Sequence, residues 1–193
     1  NQVVDIDNSI EKNIKNLADA KNVTPADIVV CILDRPRHKD IISGVRESGA
    51  RIMLISDGDV SGVIATAQPD AGVDLYLGSG GAPEGVLAAA ALRCIGGQMQ
   101  GRLMFRNDDE ISRARRWGIE DLEKKYCLSE LAKGDVMFAA TGVTGGTMLK
   151  GVKRFPGGAD THSIIMRSST GTVRTIEAHH DWRRKPISSD LKV

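Results

Sequence analysis

The sequence predicts a layered α/β fold, in which helices sandwich a mostly parallel sheet and an antiparallel strand pair follows near the C-terminus. Apolar runs at 26–34, 51–56 and 73–78 alternate with helix-like segments, which is the arrangement of parallel α/β sheets. These runs are rich in β-branched residues and nearly uninterrupted, as in strands covered on both faces. Two further strand-like segments, 162–169 and 172–180, are separated by a Thr-Gly turn and predict an antiparallel hairpin.

Helices are predicted before and between the parallel strands. The first has apolar residues at helical spacing and three alternative polar caps. Its apolar residues are Ile6, Ile10, Ile14 and Leu17, and the caps are Asp7, Asn8 or Ser9. The others cover 38–49, 59–69 and 83–96, and the glycine at 49 is typical of a helix C-terminus.

The chain after residue 97 is predicted to be less regular. Residues 108–125 form a charged stretch with helical composition, and residues 134–143 predict another buried strand. The polar tail from 181 onward predicts frayed structure. We expect residues 1–193 to form a single α/β domain.

Composition excludes several classes of function. The 193 residues are 41% hydrophobic and 4% aromatic, with a formal net charge of +1. We therefore expect no surface for nucleic acid. No apolar run is long enough to span a membrane, and no signal peptide is recognisable. The scattered Cys31, Cys94 and Cys127, the first two predicted to be buried, indicate reduced thiols and a cytoplasmic protein.

Polar segments follow all three predicted parallel strands. They read DRPRH at 34–38, SDGDV at 56–60 and GSGGAPEG at 78–85. Ligands of open α/β sheets bind outside the carboxyl ends of the strands, so we expect these segments to meet at one edge. Together they offer arginines, carboxylates and a helix N-terminus to a ligand.

Arg35 and Arg37 are the candidate phosphate-binding residues. They flank Pro36 and are predicted to alternate on an extended segment, because a residue before proline avoids the helical region. A guanidinium group matches two phosphate oxygens at once. The alternative is a solvated strand end at which these side chains pair with Asp34.

The second strand is followed by Asp57, Gly58 and Asp59. The two carboxylates can bind a metal ion or accept hydrogen bonds from sugar hydroxyls. Alternatively, Asp59 only caps the helix that follows.

Glu84 lies at the mouth of a glycine-rich loop, directly after Pro83, which is expected at the first helical position. Gly80 and Gly81 allow a ligand to approach the backbone closely. The free N–H groups of a helix start favour an anion, and a phosphate beside the Glu84 carboxylate would need a cation between them. Glu84 is therefore a candidate metal ligand. The alternative is a first-turn acid that only complements the helix dipole.

Two other functions are compatible with these segments. DGDVS after an apolar strand is similar to the loop of haloacid-dehalogenase-like phosphatases, with Asp57 as the nucleophile and Asp108 and Asp109 as distal acids. A non-enzymatic sugar-phosphate-binding module would use the arginines without a metal. His179 and His180 are adjacent on a predicted strand and point to opposite faces, so they are not expected to share a metal.

The three strand ends, with RPRH, DGDV and GGAPEG in this order and at these spacings, resemble class II fructose-1,6-bisphosphatase. The segments FAATGVTGGTMLKGV and RSSTGTVRTIEAHH extend the resemblance over essentially the whole chain. The resemblance implies a lithium-sensitive, metal-dependent sugar phosphatase of layered α/β architecture. Such an enzyme uses Mn²⁺ or Mg²⁺ to activate water that removes the 1-phosphate of fructose 1,6-bisphosphate in gluconeogenesis. Some members also accept sedoheptulose 1,7-bisphosphate, and the family suggests a homo-oligomer.

The resemblance assigns roles to individual residues. Glu84 matches a metal-binding glutamate of the family. The substrate-contacting positions of the family match Arg35, Pro36, Arg37, Asp57, Gly58, Asp59 and Gly81.

The chain departs from the family by lacking an acidic DPIEGT-like segment, which carries most of the metal-ligating acids and a threonine that helps to activate water. We therefore expect this chain to correspond to the C-terminal half of the enzyme, with no catalytic residue of its own. The missing N-terminal half is then its partner, and the isolated chain is expected to have negligible phosphatase activity.

Overall fold

The structure is a computed structural model that describes residues 3–184. Up to residue 95, helices and strands alternate in the predicted order: α1 (Ile10–Lys21), β1 (Val29–Leu33), α2 (Lys39–Glu47), β2 (Arg51–Ile55), α3 (Asp59–Ala65), β3 (Leu75–Tyr76) and α4 (Ala82–Ile95). Ser9 is the cap of α1, because its hydroxyl accepts the Lys12 N–H at 3.2 Å. Gly49 follows α2 with a φ of +80°, as its place at a helix C-terminus predicts.

The first sheet is parallel and three-stranded, in the order β2-β1-β3. The prediction of a strand covered on both faces is correct for the central β1, in which four of the five residues are buried. It is wrong for β2, where Arg51 and Leu54 are exposed, because β2 is an edge strand and helices cover it less completely. β3 keeps only two residues of the predicted 73–78.

The second half contains more antiparallel structure than the sequence indicated. Its elements are β4 (Gln100–Arg102), α5 (Asp108–Arg116), β5 (Lys125–Cys127), α6 (Leu128–Leu131), β6 (Met137–Thr141), β7 (Lys153–Phe155), β8 (Gly158–Arg167) and β9 (Thr172–Asp181). The predicted helix over 108–125 stops at Arg116, since Gly118 takes a φ of +81° and the chain then turns into β5, which pairs with β4.

The predicted C-terminal hairpin is present as β8 and β9, and it belongs to a four-stranded sheet. β9 pairs with β8 along its length, whereas β6 and β7 share the other side of β8. The prediction that 134–143 is a buried strand is wrong in its burial: in β6 the side chain of Phe138 is buried and Met137 is exposed. Only one face of this sheet packs on a core.

Four layers result, in the order helices, parallel sheet, helices, antiparallel sheet. Ile14 of α1 and Val45 of α2 pack on one face of β1, and on the other face Cys31 of β1 packs with Ala65 of α3. The next core joins α3 and α4 to the antiparallel sheet through buried side chains, which are Ile64, Ala91, Cys94, Phe138, Ile164 and Met166.

Two further predictions concern the membrane and the polar tail. Within residues 3–184, no helix combines the length and the apolar character that a membrane crossing requires. Most of the polar tail, from residue 185, lies outside the described residues.

Candidate functional site at the carboxyl edge of the parallel sheet

The segment after β1 starts extended and then turns. Arg35 has φ −140° and ψ 147°, as expected before a proline. Pro36–His38 forms a 3₁₀ turn closed by the His38 N–H donating to the Arg35 carbonyl at 2.9 Å. The prediction that Arg37 lies on an extended segment is therefore wrong. Arg35 contacts Asp34 through the backbone, its Nη1 donating to the Asp34 carbonyl at 2.8 Å.

Arg37 ties this segment to the loop that follows β3. Its Nε and Nη2 donate to the Ser79 carbonyl at 3.0 and 2.8 Å. These contacts bridge 42 residues of sequence. They leave Nη1 outside this pair of hydrogen bonds, and the Arg37 side chain is exposed at the sheet edge.

The segment after β2 bends sharply at Gly58, which has a φ of +78° and is the N-cap of α3. Asp59 is thus the first residue of α3 and not its cap, although its Oδ1 accepts the Val60 N–H at 2.9 Å. Its other oxygen faces the third loop, because a Cβ added to Gly80 would lie 3.1 Å from Asp59 Oδ2. Asp57 is exposed at the same strand end.

The loop after β3 ends at Gly81, the N-cap of α4. The helix starts at Ala82, so Pro83 is its second residue and not the first, and Glu84 lies in the first turn. Gly81 has an ordinary backbone conformation, with φ −68° and ψ 143°. Because Gly81 has no side chain, the Glu84 carboxylate can fold back over it. A Cβ at this position would overlap Glu84 Oε2.

Three features of this edge were not assigned from the sequence. His38 is fully buried and contacts both the end of β1 and Ser79. Tyr76 lies nearby: burial, helped by the charge of Asp59, raises its pKa to about 12, and Arg37 partly opposes that rise. His38 and Ser79 lie in the polar segments that follow the predicted strands, and Tyr76 lies in the predicted strand 73–78, but a histidine before a helix, a serine in a glycine loop and a tyrosine in a strand carry no specific spacing signal.

The donor set at this edge does not complete a divalent metal site. Among residues 3–184, no group of three or more His, Cys, Asp and Glu side chains is arranged to hold a metal ion. Divalent Mg²⁺ or Mn²⁺ needs several oxygen ligands. Glu84 fits the role of one such ligand, and the described residues place no group of three ligating side chains around it.

The adjacent histidines on β9 engage different partners, as their opposite orientations predict. His179 Nδ1 lies 2.6 Å from Asp160 Oδ1, and its ring stacks on Phe155 with centroids 4.7 Å apart. His180 Nε2 lies 3.0 Å from Thr161 Oγ1. These contacts hold β8, β9 and β7 together.

Comparison with known proteins identifies the family to which the chain belongs. Residues 1–180 match the family described as bacterial fructose-1,6-bisphosphatase, glpX-encoded. The chain is 41% identical to a D-fructose 1,6-bisphosphatase class 2/sedoheptulose 1,7-bisphosphatase of Crocosphaera subtropica, over 98% of this chain and 58% of that protein. It is 41% identical to the protein of that name in Trichodesmium erythraeum, over 92% of this chain and 55% of that protein.

A third relative of the same name, from Microcystis aeruginosa, is 40% identical over 94% of this chain and 56% of its own length. The chain thus spans between 55% and 58% of the length of these curated relatives. The family match covers nearly all of the sequence, including the three loops described above. The chain therefore belongs to the class II fructose-1,6-bisphosphatase family.

Proposed function

We propose that this chain supplies the substrate-binding edge of a fructose-1,6-bisphosphatase. Hydrolysis by that enzyme adds water across the 1-phosphate ester and yields fructose 6-phosphate and inorganic phosphate. The observation that supports the proposal most is the meeting of the three loops, where Arg37 holds Ser79 and the Asp59 carboxylate lies against Gly80. A bisphosphate ligand needs cationic donors, and hydroxyl-binding carboxylates beside them would recognise its sugar.

The proposed roles follow the loops. Arg35, Pro36 and Arg37 contact a phosphate group, and Asp57, Gly58 and Asp59 contact the sugar. At the start of α4, Gly81 contacts the substrate, and Glu84 binds Mn²⁺ or Mg²⁺. Both cations prefer oxygen ligands, and the exposed carboxylate of Glu84 lies at the helix N-terminus where phosphate is also favoured.

The remaining metal ligands belong, in this proposal, to a segment equivalent to the part of the relatives that this chain does not span. The outer face of the antiparallel sheet carries exposed apolar side chains and is the surface on which we expect that segment to dock. Met137 is 67% exposed there, and the register places Ala139 and Ile176 on the same face.

We propose that the enzyme acts in the cytoplasm in gluconeogenesis, as a homo-oligomer, and that it also accepts sedoheptulose 1,7-bisphosphate. The unbridged, buried thiols of Cys31 and Cys94 support a reducing compartment.

Complementation tests this function. The chain is mixed with the corresponding missing segment of the Crocosphaera relative, and phosphate release from fructose 1,6-bisphosphate is measured with Mn²⁺ present. We expect negligible release from either part alone, release from the mixture, and loss of release in Glu84→Gln. Ile176→Lys, which places a charge on the outer sheet face, should weaken assembly without unfolding the chain.

Three outcomes would argue against the proposal. If Glu84→Gln leaves phosphate release by the mixture unchanged, Glu84 is not a metal ligand. Substrate binding that a chelator leaves unchanged, with no release from the mixture, would indicate a sugar-phosphate-binding module. A covalent phosphoenzyme that disappears in Asp57→Asn would indicate the other phosphatase chemistry.

A further inference from the structure

His38 connects the end of β1 to the loop that carries the proposed substrate-binding glycine. Its ring is fully buried between the two. Nδ1 lies 2.7 Å from the Leu33 carbonyl, and the Ser79 backbone N–H donates to Nε2 at 2.9 Å. Gly78 leaves room for the ring, since a Cβ at that position would lie 3.2 Å from His38 Cε1.

The partners of the two ring nitrogens define their protonation. A carbonyl oxygen only accepts, so Nδ1 carries a proton that it donates to Leu33. A backbone N–H only donates, so Nε2 must carry a lone pair to accept it from Ser79. These two partners fit the tautomer that carries its proton on Nδ1.

Two oxygens of Ser79 also lie near Nε2: the carbonyl oxygen at 3.1 Å and the hydroxyl oxygen at 3.3 Å. A proton on Nε2 would let the ring donate to that carbonyl, but it would also point at the Ser79 N–H. The carbonyl already accepts two hydrogen bonds from the Arg37 guanidinium, and a cationic ring would lie close to that positive charge. With the proton on Nδ1, the ring accepts from the Ser79 amide, whereas Arg37 donates to the Ser79 carbonyl.

We propose that His38 is a positioning residue, which fixes the 78–81 loop against β1 by accepting the Ser79 amide hydrogen bond. His38 accepts from the amide of Ser79 and Arg37 donates to its carbonyl, so both hold the same residue and fix the position of the loop relative to the segment that contains Arg37. The positioning itself stands on these contacts, and its consequence for ligand affinity rests on the proposed function. His38 touches no substrate atom in this role, because it is buried beneath the loop.

Two substitutions separate the ring nitrogens. His38→Gln places an amide group near the Nε2 position and keeps an acceptor for Ser79, whereas His38→Asn places it near the Nδ1 position and does not reach Ser79. The measurements are amide hydrogen exchange of Ser79 and binding of fructose 1,6-bisphosphate to the chain by calorimetry. In His38→Asn we expect Ser79 exchange to become about tenfold faster, as for loss of one hydrogen bond. Affinity for the bisphosphate should fall by about the same factor.

His38→Gln is expected to keep both quantities within about threefold of the parent chain, since its acceptor is retained. If His38 only filled volume, His38→Gln and His38→Asn would differ in unfolding free energy, because Gln is larger than Asn. Ser79 exchange would then change only as much as global stability does. Exchange at Ser79 that is unchanged in His38→Asn, or equally fast in both variants, would overturn the proposal.

A measurement on the unmodified chain keeps the test independent of variant folding. Long-range ¹H–¹⁵N spectra of the histidine ring report which nitrogen carries the proton. A protonated Nδ1 and an unprotonated Nε2 support the proposal, and a proton on Nε2 refutes it. If the bisphosphate does not bind the parent chain, the proposed function fails while the exchange and tautomer results still decide the role of His38.

Discussion

Gly81→Ala is the substitution that most selectively perturbs the candidate site. The Cβ of alanine would overlap Glu84 Oε2, so the carboxylate must leave its place above the loop. Alanine tolerates the backbone at Gly81, with φ −68° and ψ 143°, and no backbone strain arises. Glu84 is exposed and can rotate into solvent, so the unfolding free energy should change by no more than about 0.5 kcal/mol.

The functional effect should be larger than the effect on stability. In the proposed enzyme Glu84 is a metal ligand, and disturbing the orientation of a ligand typically weakens metal affinity by about 10- to 100-fold. Titration of Mn²⁺ into the complemented enzyme, with phosphate release as the readout, should show a half-saturation concentration raised by that factor. Saturating Mn²⁺ should restore part of the activity, because the glutamate is displaced and not removed.

Gly85→Ala is the matched control, four residues further along the chain. Nothing lies within 4 Å of a Cβ at Gly85, which is inside α4. Replacing a helical glycine by alanine should raise the unfolding free energy by about 0.5–1 kcal/mol and leave the Mn²⁺ titration unchanged. An unaltered Mn²⁺ titration in Gly81→Ala, or a loss of stability comparable to that of a core substitution, would refute the reasoning about Glu84.

The other predictions test packing, ionisation and phosphate recognition. Met166→Ala in the core should lower the unfolding free energy by about 2–5 kcal/mol, whereas Met137→Ala on the outer face of the same sheet should change it by about 0.5 kcal/mol or less in urea titrations. Burial raises the Tyr76 pKa, so the folded chain binds more protons than the unfolded chain above pH 10, and stability should fall between pH 10 and about 12. In Tyr76→Phe this fall of stability with pH should disappear, and an unchanged fall would show that another group causes it. Arg37→Lys cannot make the paired contact with Ser79 and should weaken bisphosphate binding about tenfold by calorimetry, whereas parental affinity would show that charge alone suffices.

The sequence predicted the first four helices and the three parallel strands because their signals are local. The run at 26–34 is apolar throughout, and it becomes the central strand β1. A local pattern does not contain the position of a strand within its sheet. After Arg51, β2 is apolar like β1, yet as an edge strand it leaves Leu54 44% exposed. The charged stretch at 108–125 likewise has helical composition throughout, and Gly118 divides it by taking a left-handed backbone.

The grouping of the three loops was predictable because a rule links strand ends to ligands, whereas the course of each loop, which depends on particular hydrogen bonds, was not. Parallel strands bring their carboxyl ends to one edge, which is why the three loops could be grouped from the sequence. The 3₁₀ turn that redirects Arg37 depends on the His38 N–H bonding to Arg35, and no spacing signals it. The contacts of Arg37 and His38 with Ser79 bridge 42 and 41 residues, so only the folded chain brings them together.

The central claim is that segments 35–37, 57–59 and 79–84 form a single binding site. Titration of fructose 1,6-bisphosphate into the ¹⁵N-labelled chain tests it most directly, with backbone amide shifts followed residue by residue. The account predicts that amides of all three segments move together and fit one dissociation constant, with inorganic phosphate producing a subset of the same shifts. Shifts confined to one segment, or centred on another surface of the chain, would contradict it.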